Sequence, residues 1–208
     1  MGLFDKIFGK KENIPQLETT QEAISPTAEM LDEDLYWKII EFSLQQADNQ
    51  YDQEQVLIRE IEKLNQQQMI GFRLRTDKLL YDTYNSEMWC AAYIMNGGCS
   101  DDMFEYFRNW VISRGRDVYY AAKENPDSLI TEADDETDEF EFETFWYVAL
   151  EAFKNKTGEN LYNHIDNENF ETKEGNYPQF DFTWTEEDPE SLQKICPKLF
   201  ERFLGNFE

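Results

Sequence analysis

Histidine is almost missing from this chain: His164 is the single one among 208 residues. With no second histidine there is no histidine dyad, and serine or cysteine catalysis of the usual histidine-assisted kind is disfavoured. Cysteine is scarce as well. Cys90, Cys99 and Cys196 are odd in number, scattered, and contain no Cys-x-x-Cys, so neither a disulfide framework nor a zinc site is encoded, and a reducing cytoplasm is the expected setting. Long apolar runs are also lacking. No stretch approaches the roughly 18 residues of a membrane span, and the N-terminus lacks the apolar core of a secretory signal. Positive charge is the largest deficit: 19 Lys and Arg stand against 44 Asp and Glu, for a net charge of −25 and a pI near 4.2. Such a body repels duplex DNA, which argues against a nucleic-acid partner, and it opposes an anionic membrane leaflet. A positively charged protein would be drawn in, although acidity also serves solubility alone.

What is present is aromatic. With 16 Phe, 11 Tyr and 5 Trp, and 40% hydrophobic residues overall, the chain has ample large apolar surface to bury, and global disorder is excluded. Residues 1–11, MGLFDKIFGKK, set Leu3, Phe4, Ile7 and Phe8 at helical spacing and form a short amphipathic segment, too slight for firm membrane anchorage. Residues 12–31, with Pro15 and Pro26 among polar residues, read as a flexible linker. From Asp32 the 3.6-residue period takes over, giving one domain over 32–208.

Helices are expected from Asp32, over the stripes Val56–Leu64 and Ile70–Tyr84 with a joint at 65–68, and from a capping Ser86 to Asn96. Further helices are expected at 117–124, at 140–155 closing near Gly158, and around a break at Pro197. The predicted fold is all-α, an orthogonal helical bundle, with a minor β-hairpin near 159–185 left open by the alternating FDFTW.

The run GGCSDDMFEYFRNWV, residues 97–111, is the most singular local feature. Gly97 and Gly98 suit a left-handed helix end, Ser100 sits where an N-cap belongs, and Asp101 and Asp102 fall in the first turn, where carboxylates favour the helix dipole. Asp101 and Glu105 lie one turn apart, a spacing able to bind a cation or share a proton, and equally that of a solvated face carrying a Glu105–Arg108 pair. Trp110 belongs to the apolar side. Cys99 precedes a helix start, but the neighbouring aspartates oppose a thiolate there.

The longer run WCAAYIMNGGCSDDMFEYFRNWVISRGRDVYYAAKENPDSL resembles the core of the bacterial domain-of-unknown-function family 4240: Gly-Gly-Cys-Ser-Asp-Asp, Phe-x-x-Phe-Arg-x-Trp and Asn-Pro-Asp-x-Leu all recur. The likeness extends less strictly from Tyr36 to Gly158, with a late echo in CPKLFERF, and leaves the first 31 residues outside. It implies a shared fold and a recurring corner, and supplies no reaction, cofactor or catalytic residue.

Between 124 and 146 acidic side chains occur without a single basic one, densest in EADDETDEFEFE. Counted from Asp134, the glycine and glutamate of a calcium loop are missing. No metal or cofactor motif is legible. By contrast Arg108, Arg114 and Arg116 make a local basic island, suited to bidentate anion binding or to tying down the acidic segment. Two functions follow. The preferred one is an acidic binding protein, such as an inhibitor or immunity-type partner of a basic protein. The alternative is a carboxylate-based enzyme, or a small anionic-ligand or metal binder, built on Asp101, Asp102 and Glu105 with the arginines.

Overall fold

Most helices open at a side chain that accepts from an otherwise unpaired amide. Asp32 accepts from the Leu35 N–H at 3.0 Å and starts α1 (Glu33–Gln45). Asn49 does the same for Asp52 at 2.9 Å ahead of α2 (Gln50–Glu62). Asn65 and Gln68 close a reciprocal capping box at the head of α3 (Gln66–Asp82), which moves the helix start into what the sequence offered as a joint. Asn85, not Ser86, caps α4 (Ser86–Asn96), accepting from Met88 N–H at 2.8 Å. Ser100 then caps α5 (Asp101–Ser113), and Gly115 leads into α6 (Arg116–Glu124). Each side-chain cap contributes about 1 kcal/mol.

The structure, a computed structural model, describes residues 24–134, 137, 139–173 and 175–205. The amphipathic segment 1–11 and positions 12–23 of the expected linker lie outside the described residues. Later in the chain come α7 (Val148–Thr157), α8 (Pro189–Ile195) and α9 (Pro197–Phe203), with 3-10 turns at Pro126–Thr131, Glu143–Tyr147 and Leu161–His164. Among the described residues there is no strand, only an isolated parallel bridge between Thr27 and Ile165, so the fold is all-α. One core unites Tyr36, Trp37 and Ile40 of α1 with Leu57 and Ile61 of α2, Phe72 of α3, Phe104 and Phe107 of α5 and Phe153 of α7, all buried. Among the described residues no helix is long and apolar enough to cross a membrane.

Three stretches differ from expectation, each for a tertiary reason. Residues 24–31, expected as the end of a linker, lie against the body. The Thr27 N–H donates to the His164 carbonyl at 3.0 Å, the Leu31 N–H donates to the Gly71 carbonyl at 2.9 Å, and Arg75 donates twice to the Leu31 carbonyl. This close approach needs Gly71: a Cβ there would stand 2.7 Å from Leu31 N and 3.0 Å from Glu29 O.

The helix expected from residue 140 begins later. Phe140 and Phe142 are buried with half-exposed Glu141 between them, a period of two that suits extended chain. That stretch is pinned by Phe140 N–H to Asn96 Oδ1 at 2.7 Å and Phe142 N–H to the Tyr106 carbonyl at 3.0 Å. Finally, FDFTW does not build the optional hairpin. Its alternation lays Phe180, Phe182 and Trp184 along the molecule, with Thr183 N–H donating to Ser86 Oγ at 3.0 Å and Trp184 Nε1 to the Ser86 carbonyl at 2.9 Å.

Candidate functional site

The glycine corner does what its backbone requires. At Gly97 φ is +66° and at Gly98 +149°, and the N–H groups of both point to the Tyr93 carbonyl. Nothing stands within 4 Å of a Cβ at either glycine, so the backbone angle alone demands them. Ser100 Oγ accepts from Met103 N–H at 3.3 Å. Asp101 and Asp102 are exposed in the first turn of α5, and neither forms an ion pair among the described residues. Neither aspartate lines the hollow beside α7 or the clefts beside residues 139–143. Glu105 is half-buried on the same helix.

The three arginines are not gathered into one island. Arg108 is 2% exposed, donating from Nη1 to the Leu80 carbonyl at 2.6 Å and from Nε to Phe104 O at 3.2 Å, with its guanidinium against the rings of Phe104, Tyr84 and Tyr177. It ties α5 to α3 from within, held by carbonyls and π faces. Arg114 pairs with Glu132 at 3.3 Å. Arg116 reaches back to the acidic first turn of α1, 2.8 Å from Asp34 and 3.8 Å from Glu33. Internal pairing therefore occupies Arg114 and Arg116, and burial withdraws Arg108.

Cys99 is half-buried, and burial pushes its thiol up to about 12, with Asp101 adding to the shift and Arg108 opposing it. Burial thus disfavours its thiolate at neutral pH. His164 is a strut rather than a base in a cleft: Nε2 lies 2.7 Å from Glu159 Oε2 and Nδ1 3.3 Å from the Ile24 carbonyl, fixing residues 24–27 to the late part of the chain.

The acidic segment forms the most distinctive surface. Trp110, 8% exposed, packs edge-on against Phe140 with ring centroids 5.2 Å apart, which holds residues 139–142 beside α5. Between this segment and the α1–α2 joint opens a cleft of about 550 Å³, lined among others by Asp48, Gln53, Trp110, Arg114, Glu139 and Glu141. A second hollow of about 350 Å³ shares Gln50, Glu139 and Glu141 with it and adds Tyr51, Glu54 and Glu143, so the two lie side by side as an acidic groove. Gln50 Nε2 bridges its walls, donating to the Glu141 carbonyl at 2.6 Å. Burial, and then the charges of Glu139 and Glu143, raise the Glu141 carboxyl above its ordinary value. Among the described residues no group of three or more His, Cys, Asp or Glu is placed to hold a metal ion, so the carboxylates line the groove without converging. A separate hollow of about 520 Å³ beside α7, between Tyr147, Lys154 and Glu159, is of mixed charge and carries no clustered chemistry.

The family model described as Protein of unknown function (DUF4240) matches residues 31–155. The chain belongs to that family. No curated protein and no solved structure matches it. The DUF4240 segment spans α1 to α7 and contains both the glycine corner and the whole acidic groove. The extended stretch 180–184 and helices α8 and α9 fall outside it.

The groove was not assembled by sequence reasoning, because its walls come from residues 48–54, 110–114 and 139–143. One signal was there to be read. Gln53 sits three residues before Val56 and four before Leu57, a polar side chain on the buried stripe of α2. Gly71, inside an otherwise good helix sequence, was a second such signal, of close backbone approach.

Proposed function

We propose that this protein is an acidic binding protein that receives a positively charged segment of another protein along the groove between the α1–α2 joint and residues 139–143. An inhibitor of a basic partner in a reducing cytoplasm is the role that suits it. One observation carries the reading. Asp48, Glu139 and Glu141 line this groove and their carboxylates have no hydrogen bond or ion pair among the described residues, while Tyr51 beside them is 68% exposed. Some acidic side chains elsewhere, Glu33, Asp82 and Glu132 among them, are matched by cations of the chain itself. Unmatched carboxylates around a hollow favour an incoming cation, and an exposed tyrosine provides apolar area at low entropic cost.

The test is affinity capture with the full chain at low salt, beside a Glu139→Gln, Glu141→Gln variant. Proteins with pI above about 9 should be retained, released by salt, and recovered in smaller yield by the variant. Retention of no basic protein, or equal retention by the variant, would refute the reading.

A further inference from the structure

The deeper part of the groove contains a more specific arrangement than negative charge. Gln53 is 3% exposed, and its Nε2 donates to the Ser113 carbonyl at 2.9 Å and to Ser43 Oγ at 3.3 Å. A carbonyl can only accept, so the amide orientation is fixed, and Oε1 must face the other way. Among the described residues Oε1 accepts no hydrogen bond, and it is not among the fully enclosed orphan atoms, which leaves it open to the cleft that Gln53 lines. A buried amide held rigid by two bonds thus presents an unused acceptor. Trp110 forms an apolar wall of the same cleft, and Asp48, Glu139 and Glu141 are its acidic rim. Arg114 at the edge is engaged by Glu132.

The geometry points to this cleft as the receptor for an arginine side chain of the basic partner, with Gln53 Oε1 and the rim carboxylates as acceptors for the guanidinium and Trp110 as its apolar wall. This rests on the binding function proposed above and names the group recognised. A guanidinium is planar, weakly hydrated and carries five N–H donors in a fixed fork, so it can reach an amide oxygen and a carboxylate together while lying against an aromatic wall. A lysine ammonium, compact and strongly hydrated, satisfies the rim but gains less from the buried amide. The acceptors are dispersed rather than convergent, which suits an extended organic cation.

Labelled hexa-arginine and hexa-lysine peptides titrated against the full chain at physiological salt test the assignment. Hexa-arginine should bind more tightly, and Glu139→Gln with Glu141→Gln should weaken it about tenfold, as expected for loss of charge-assisted hydrogen bonds. A Glu186→Gln, Glu187→Gln control of equal net charge should change it less than about twofold. Gln53→Met should abolish the preference for arginine; because this change could also loosen the fold, unfolding temperature is measured alongside, and Asp48→Asn at the exposed rim should reproduce part of the loss. Equal binding of both peptides with a real groove effect overturns the arginine assignment and leaves the binding function standing. Equal weakening by groove and control pairs overturns both, since attraction is then spread over the whole surface.

Discussion

Gly71 and Gly97 place opposite demands on the chain. At Gly97 the space is open and only φ of +66° is restrictive, so Gly97→Ala should cost about 1 kcal/mol and lower the unfolding temperature by roughly 2–4 °C. At Gly71 the obstacle is backbone, Leu31 N at 2.7 Å, and Gly71→Ala must displace residues 29–31 or strain α3. Its unfolding temperature should fall clearly further; equal losses in the two variants would contradict the seating of that segment. Glu33 supplies a pH signature. The Tyr120 hydroxyl donates to it at 2.5 Å, and this bond first, then Trp37 Nε1 and the charges of Arg75 and Arg116, hold its carboxyl below the ordinary value against the opposing effect of burial. A carboxyl lowered in the folded state stabilises above its unfolded pKa and ceases to do so as pH falls through the lowered value. The stability difference between the wild type and Glu33→Gln should therefore be greatest near neutrality and shrink below about pH 4. A constant difference across that range would refute it.

Among the elements, helices were legible wherever a 3.6-residue apolar stripe followed a capping residue, as at Asp32 and Ser100, and wherever glycine or proline closed it, as at Gly97, Gly158 and Pro197. The period-two stretches were visible too, but their meaning was not. Phe140–Phe142 alternates because one face meets helices distant in sequence, while Phe180–Trp184 is anchored at Ser86 by a buried Trp184 with Phe182 53% exposed, and neither has a second strand alongside among the described residues. Ser86 shows the same limit. Its type and place fit a cap, yet Asn85 performs that task while the Ser86 hydroxyl accepts from Thr183, 97 positions further along the chain. Ser86→Ala should thus speed amide hydrogen exchange at Thr183 and leave the first turn of α4 protected; faster exchange at Met88 instead would return the capping role to Ser86.

For the molecule as a whole, charge was the plainest feature of the sequence and the site the least plain. Composition gave −25, but only packing brings Asp48 from the α1–α2 joint to Glu139 and Glu141, and the Trp110–Phe140 contact, with the Phe142 N–H to Tyr106 carbonyl bond, sets the acidic segment beside α5. Most ion pairs among the described residues are at least partly exposed and individually contribute little, so mutual repulsion among carboxylates should dominate the salt response. The unfolding temperature should rise between about 10 and 300 mM sodium chloride as that repulsion is screened; a decrease would mean that the internal pairs outweigh it. The strut at His164 has a consequence for biosynthesis. Its partner at Ile24 lies 140 residues earlier, and the neighbouring Thr27 waits for the same segment. On the ribosome, α3 can fasten Ser25 and Leu31 early, but Ile24 and Thr27 wait for residues 164–166, and a nascent chain halted before His164 would emerge with that clasp undone.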